Sequence, residues 1–169
     1  FALESFGPIV VSAATGTLVS RMLIHPYLAY TPPEYPDPVS LWELVHYLLL
    51  GTGIGLASVL FLVTLRGVGR GFTHLPIPNW TRPIVGFGLV GLIGMAFPHV
   101  PGNGYDTVDQ ILHGQLPLAL ILVLPVVKVA ATAITRGSGG SGGLFTPTLF
   151  IGAAIGSAYG AWCEQAFPG

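Results

Sequence analysis

Long apolar segments alternate with short polar linkers along the whole chain. A helix of roughly 20 mostly apolar residues crosses a bilayer core about 30 Å thick, and several segments approach or reach that length. We therefore predict that each apolar segment is a helix and that the protein is all-α and embedded in a membrane. The five predicted helices cover residues 6–24, 41–65, 83–97, 116–135 and 144–163.

The linkers between these segments differ in charge. Residues 26–43 and 98–115 contain carboxylates but no Lys or Arg, whereas residues 66–82 contain three Arg and no acidic residue. Short cytoplasmic loops are enriched in Lys and Arg. We therefore predict that linker 66–82 faces the cytoplasm, that the other two linkers lie outside, and that Arg136 marks the return of the chain to the inside.

Two details suggest that the helices are not all simple spans. The third segment has only 15 residues, and Val108, Ile111 and Leu112 in the next linker have helical spacing, which predicts a short half-helix. Stripes of small residues are expected where membrane helices approach closely. The glycines of these stripes are Gly86, Gly88, Gly91 and Gly94, and Gly152, Gly156 and Gly160.

Composition supports a membrane protein and narrows its chemistry. The chain is 51% hydrophobic and 8% charged, with a mean hydropathy of +0.73, whereas a soluble domain carries about 25% charged residues. A net charge of −1 gives no indication of a nucleic-acid partner. We also expect no metal or cofactor, because no His, Cys and carboxylate cluster has metal-ligand spacing. The chain opens on "FALES" without a start Met, so we expect a piece of a longer protein.

The stretch "GSGGSGG", residues 137–143, runs directly into the last apolar segment. A helix begins with backbone N–H groups that lack partners, and the helix dipole adds positive potential there. Helix starts therefore bind anions, and transporters place such starts against anionic substrates. Because Pro147 is tolerated in a first helical turn, we predict that the helix starts near Leu144 or Phe145.

Other interpretations of these residues stay open at this level. The glycine run could be a flexible cytoplasmic loop, with Gly137 ending the preceding helix. An intramembrane serine hydrolase would need Ser138 or Ser141 beside a histidine, and a noncatalytic membrane scaffold would need neither. A phosphate-binding loop is excluded, because no Lys follows the glycines. Lys128, a charge inside the fourth segment, either serves a functional site or extends to the inner interface.

Four segments together resemble the CLC family of chloride channels and chloride/proton antiporters. They are "FALES", "PGNGYDTVDQILHG", "KVAATAITRGSGGSGG" and "GSGGSGGLFTP", and they occur in the family's order. The resemblance implies a polytopic membrane fold with tilted and interrupted helices, built as an inverted repeat. Residues 1–169 would be part of its transmembrane domain without a complete pore. It also implies chloride as the transported substrate. Transport of another anion, such as fluoride or nitrate, is the alternative.

The resemblance assigns roles around the last helix start. The backbone N–H groups of Leu144 and Phe145 would coordinate chloride, while Gly142 and Gly143 would keep its approach open. Pro147 would define the first helical turn. Thr146 stands where the family often has Ala, a change that we expect to be tolerated.

The resemblance also bears on coupling and assembly. Proton-coupled members commonly have a Glu-Glu pair where this chain has Glu4 and Ser5, and Ser5 has no carboxyl group to carry protons. Channel and antiporter both stay open. The family further implies a homodimer with helix 6–24 in its interface, surrounded by lipid, and we expect a bacterial inner (plasma) membrane.

Overall fold

The computed structural model describes the backbone of residues 3–23 and 41–166. Side chains are described for residues 7–23 and 43–166. All secondary structure in these ranges is helical, which confirms the all-α prediction. The helices are α1 (Leu3–Leu23), α2 (Leu41–His74), α3 (Arg82–Ala96), α4 (Tyr105–Leu112), α5 (Leu118–Gly137) and α6 (Phe145–Ala166). The five predicted segments and the predicted half-helix are therefore confirmed as helices. Most of the predicted outer linker 26–43 lies outside the described residues.

The chain divides into two compact units, Phe1–Thr31 and Pro32–Gly169. The first unit contains α1, in which the Thr15 hydroxyl donates to the Val11 carbonyl at 2.6 Å and the Thr17 hydroxyl donates to the Ala13 carbonyl at 2.8 Å. These bonds pair the hydroxyl groups inside the helix, as an apolar surrounding requires. The second unit contains α2 to α6.

Helix α2 is much longer than the predicted segment 41–65. Its 34 residues span about 51 Å at 1.5 Å per residue, more than a bilayer core needs. The prediction that 66–82 is a linker was therefore wrong up to His74, and Arg66 and Arg70 lie on the helix. Charge indicates where a segment leaves the apolar layer, but a helix continues until something stops it. Here Pro76 follows the helix end, and proline disfavours helical backbone in the residue before it.

Two helices of the described ranges are long and apolar enough to cross a membrane. They are Glu43–His74 and Leu118–Gly137, each with a mean hydropathy of 2.3. Helix α3 is apolar but has only 15 residues, too few for a full crossing on its own. The sides on which the linkers lie stay a prediction.

Helix α5 is the centre of the second unit, because it packs against α2, α3 and α6, while α4 packs against α6. The hydrophobic core lies between α4, α5 and α6. Its buried residues are Val100, Val108, Ile111, Ile121, Leu124, Ala131, Phe150 and Ala154. This core holds the loop before α4 against the first turns of α6, where the glycine run ends.

The predicted glycine stripes are only partly confirmed. A Cβ on Gly86 would overlap the side chain of Ser138, and a Cβ on Gly94 would lie 2.8 Å from Cγ of Pro101. These two glycines do sit at close contacts. At the other positions a Cβ would meet nothing within 4 Å in the described part of the chain, so the predicted contacts are absent there. Those positions are Gly88, Gly91, Gly152, Gly156 and Gly160. Spacing identifies a helix face, but it does not say what covers that face.

Candidate functional site

The first half of the glycine run ends helix α5. The Gly140 N–H donates to the Thr135 carbonyl at 2.9 Å, and the Gly139 N–H donates to the Arg136 carbonyl at 3.1 Å. Gly139 has a φ of +93°. This is a Schellman motif, in which a left-handed residue reverses the chain and pairs the last carbonyls of a helix. The helix ends at Gly137, as the loop interpretation expected, but the following backbone is held by its own hydrogen bonds.

Close packing also leaves little room for a side chain at Gly137 and Gly140. A Cβ on Gly137 would lie 3.1 Å from the backbone nitrogen of Gly69 in α2. A Cβ on Gly140 would lie 2.7 Å from the Thr135 oxygen and 2.9 Å from Cζ of Phe87 in α3. Glycine here serves the contact of α5 with its neighbours.

The second half of the run approaches helix α6 and differs from the first. A Cβ on Gly143 would meet nothing within 4 Å. The Arg136 guanidinium donates from Nη1 to the Gly142 carbonyl at 3.0 Å, so Arg136 fixes the backbone at Gly142 to the end of α5. The space around Gly143 is open, whereas Gly142 is held by this bond.

Helix α6 begins at Phe145, which confirms the predicted start. Its first bond runs from the Thr148 N–H to the Leu144 carbonyl at 3.1 Å. The N–H groups of residues 142–146 donate to no acceptor in the part of the chain that the structure describes. Pro147 is buried in the first turn, where its missing N–H leaves no further donor unpaired. The helix therefore presents free donors at its start.

A cavity of about 330 Å³, here called the glycine cavity, lies in front of this helix start. The run and α6 line it through Ser141, Gly142, Gly143, Thr146 and Pro147. Its other walls are Phe87 and Val90 of α3, the loop residues Val100, Pro101, Gly102 and Asn103, and Lys128, Ala131, Thr132 and Thr135 of α5. Leu144 and Phe145 are not among its lining residues, and Phe145 is 76% exposed. Of the residues whose N–H groups lack acceptors in the described chain, Gly142, Gly143 and Thr146 line the cavity, and Leu144 and Phe145 lie between them in the sequence.

Lys128 lies in the wall of the glycine cavity and is 3% exposed. Its ammonium donates to the carbonyls of Val100 at 2.6 Å and of Gly102 at 2.9 Å, and lies 5.1 Å from the centre of the Phe150 ring. No carboxylate of the described ranges pairs with Lys128, and its ammonium is surrounded by carbonyl oxygens and an aromatic face.

Lys128 does not extend towards Arg136, which marks the predicted inner side, but bonds to the loop after α3. Gly86, near the start of α3, packs against Ser138 at the end of α5, and Lys128 earlier in α5 bonds to the loop that follows α3, so the two helices run antiparallel. The loop after α3 is therefore at the end of α5 away from Arg136, and Lys128 reaches towards that loop. Side chains on a helix point towards its N-terminus, which favours this direction.

Two polar residues of the cavity wall near Lys128 were not predicted as site residues. Thr132 and Thr135 line the same cavity, at spacings of four and seven residues from Lys128 that place all three on one helix face. That spacing was visible in the sequence as the signal of a polar stripe in an apolar helix.

The geometry does not support a serine hydrolase. Ser138 is 2% exposed, and its hydroxyl donates to the Thr135 carbonyl at 3.0 Å. Of the histidines in the described ranges, His46 pairs with the Tyr159 hydroxyl at 2.9 Å and His113 with the Asp109 carbonyl at 2.8 Å. None of them bonds to either serine of the run within these ranges, and His25 lies outside them.

The predicted proton-pathway residues Glu4 and Ser5 lie in the first turn of α1. Their side chains are outside the described residues, so their role stays a prediction.

Comparison with known proteins identifies the family to which the chain is similar. All of residues 1–169 match the sequence model of the family described as "Voltage gated chloride channel". The chain is 38% identical over 165 residues to a "Putative chloride channel protein ClcB-like" from Ralstonia nicotianae. It is 36% identical over 169 residues to a "Voltage-gated ClC-type chloride channel ClcB" from Escherichia coli.

Each of these alignments covers 98% of this chain but only 38% and 40% of the two relatives. The chain thus spans less than half the length of the curated relatives that it matches. The family match nevertheless extends from the first residue to the last, over both units and the glycine cavity. The chain therefore belongs to the voltage gated chloride channel family, a family of integral membrane proteins.

Proposed function

We propose that the whole protein to which this chain belongs transports chloride across a membrane, and that it acts as a transport protein and not as an enzyme. The observation that carries the proposal is the start of α6, where N–H groups without acceptors in the described chain lie beside the glycine cavity. Membership of the family supports chloride as the anion.

The chemistry of the glycine cavity suits a monovalent anion. Its lining residues include the cation Lys128 and no Asp or Glu, so no carboxylate in the described wall repels an anion. The start of α6 adds partial positive charge through its dipole. We place the chloride ion at the N–H groups of Leu144 and Phe145, with Gly142 and Gly143 leaving the approach open and Pro147 defining the turn.

Binding of this kind is weak enough for transport. Backbone dipoles replace part of the hydration shell of an ion, and conduction requires that the ion also leaves readily. We propose that the remaining contacts of the ion come from the rest of the longer protein, because the chain covers only 38% to 40% of the matched relatives.

We further propose that chloride flux is not tightly coupled to protons. Ser5 supports this, because a hydroxyl group does not take up and release protons near neutral pH. We also propose that the protein is a homodimer, with α1 in its interface, in a bacterial inner membrane. Chloride channel names among bacterial relatives support that location.

The test is reconstitution of the full-length protein in liposomes, with chloride flux and reversal potential measured under a chloride gradient and under a pH gradient. We expect chloride flux above that of protein-free liposomes, with a reversal potential that does not change with the pH gradient. Flux of fluoride or nitrate without chloride flux would overturn the choice of anion. A reversal potential that moves with pH would overturn passive conduction while leaving chloride transport intact.

A further inference from the structure

A short piece of loop separates two cavities in the second unit. Pro101, Gly102 and Asn103 border the glycine cavity. The same three residues border a second cavity of about 530 Å³, here called the loop cleft. The loop cleft lies among the residues that follow α3 and those of α4, which are Pro98, His99, Pro101, Gly102, Asn103, Gly104, Tyr105, Asp106, Thr107 and Gln110. Residues 101–103 therefore form the partition between the glycine cavity and the loop cleft.

Lys128 is the side chain that holds this partition from the side of α5. Its ammonium bonds to the carbonyls of Val100 and Gly102, which are the residues on either side of Pro101. The loop before the partition is anchored separately, because the Thr107 hydroxyl donates to the His99 carbonyl at 3.0 Å. Lys128 thus acts on the partition and not on the loop as a whole.

The partition backbone is not held by regular secondary structure. Gly102 and Gly104 have φ values of +68° and +76°, which interrupt helical or extended hydrogen bonding. A Cβ on Gly104 would lie 2.9 Å from Cδ2 of Phe150 and 3.4 Å from Nζ of Lys128. The loop therefore rests on Phe150 and Lys128.

A buried ammonium is costly to desolvate, and hydrogen bonds from it offset that cost only while their acceptors stay in place. Lys128 is 3% exposed, and the described ranges supply it with carbonyls and no carboxylate. Moving residues 101–103 away would remove the Gly102 carbonyl and strain the bond to the neighbouring Val100 carbonyl. The lysine and the partition therefore stabilise each other's position.

We propose that Lys128 is a positioning residue that keeps residues 101–103 in place as a closed partition between the glycine cavity and the loop cleft. A weakened hold opens a path between the two cavities. That this path is used by chloride rests on the proposed function, but the partition itself does not, and it is tested without any measurement of transport.

The test uses Thr132→Cys in the full-length protein, with other cysteines replaced, as a reporter inside the glycine cavity. A membrane-impermeant thiol reagent is applied to proteoliposomes from one side or the other, with Lys128 kept or changed to Met, Gln or Arg. A hydrogen bond to a charged group changes an equilibrium by about tenfold or more. We therefore expect Lys128→Met to raise labelling about tenfold from the side of the loop cleft only, Lys128→Arg to restore the slow rate, and Lys128→Gln to lie between.

A matched control is Val126→Met, which adds the same side chain on a 68% exposed position of the same helix and should leave labelling unchanged. Equal labelling in Lys128→Met and the parent would overturn the proposal, and so would a rise from both sides, which indicates general loosening. If Lys128→Met does not fold, Lys128→Gln decides by the same criterion. Chloride transport measured in parallel separates the two proposals, since loss of the partition with chloride flux absent in the parent refutes the proposed function alone.

Discussion

The two halves of the glycine run look alike in sequence but have different surroundings. Residues 137–140 end α5 in a hydrogen-bonded turn, and a side chain on Gly137 or Gly140 would meet α2, α3 or the backbone of α5 itself. Residues 141–143 line the glycine cavity, and a side chain on Gly143 would meet open space. Glycine is needed at Gly137 and Gly140 because neighbouring protein atoms are close, and at Gly139 because its φ is +93°.

The second half needs glycine for a different reason, which is access to the start of α6. A substitution in the first half should therefore change the free energy of unfolding, and a substitution at Gly143 should change ligand binding. Binding and stability measured on the same variants of the full-length protein separate these two uses of glycine.

The largest effect is expected for Gly140→Val, which places branched atoms against the Thr135 carbonyl and Phe87. Overpacking of this kind should lower the free energy of unfolding by about 3 kcal/mol. The measurement is thermal or denaturant unfolding in detergent, with chloride affinity determined on the folded fraction. The matched control is Gly143→Val, which should unfold like the parent. Equal stability losses in both variants would remove the distinction between the two halves.

Gly143→Trp is the corresponding test of the second half. The indole should occupy the approach to the α6 start and weaken chloride binding at least tenfold, or about 1.4 kcal/mol. Isothermal titration with chloride measures the affinity. The free energy of unfolding should change by less than about 0.5 kcal/mol, as for an exposed position. Gly160→Trp, at an exposed glycine of α6, controls for added bulk, and unchanged chloride affinity in Gly143→Trp would reject the proposed site.

A smaller effect on stability is expected for Gly139→Ala, because Gly139 has a φ of +93°. Left-handed backbone costs an L-residue about 1 kcal/mol. We therefore expect the substitution to lower the free energy of unfolding by that amount. Chloride affinity should stay at the parental value. A loss of chloride affinity without loss of stability would show that Gly139 serves access to the start of α6, as proposed for Gly143, and would contradict this prediction.

The smallest effect is expected for Phe145→Ala. Its side chain is 76% exposed and does not line the glycine cavity, whereas its backbone N–H is the proposed ligand. Chloride affinity should change by less than about twofold, or roughly 0.4 kcal/mol. Leu144→Ala should behave in the same way. A tenfold loss in either variant would show that side chains, and not the backbone, dominate the site.

Several features of the fold were predictable because they depend on short stretches of chain. The start of α6 at Phe145 follows from Pro147 and the preceding glycines, and α4 follows from the spacing of Val108 and Ile111. The predicted end of α2 at residue 65 was wrong, because the charge of Arg66 and Arg70 suggested a linker where the helix continues. Their charge marks the limit of the apolar layer, which a helix can cross.

The candidate site was predictable only in its local part. The donors at the α6 start belong to one short segment, so the sequence indicates them directly. The glycine cavity needs α3, the loop before α4 and α5 as well, and no local pattern says that these elements meet. Lys128 was recognisable as unusual, but its carbonyl partners lie 28 and 26 residues earlier in the chain.

By itself, the amino-acid sequence determined that this is an all-α membrane protein, that a helix starts after the glycine run, and which family motifs it carries. These properties follow from hydrophobicity and from backbone preferences that act over a few residues. Only the tertiary structure decided that Gly140 is enclosed while Gly143 is open, and that Lys128 turns to the loop before α4. The physical reason is that enclosure depends on atoms from distant segments, which sequence spacing does not locate.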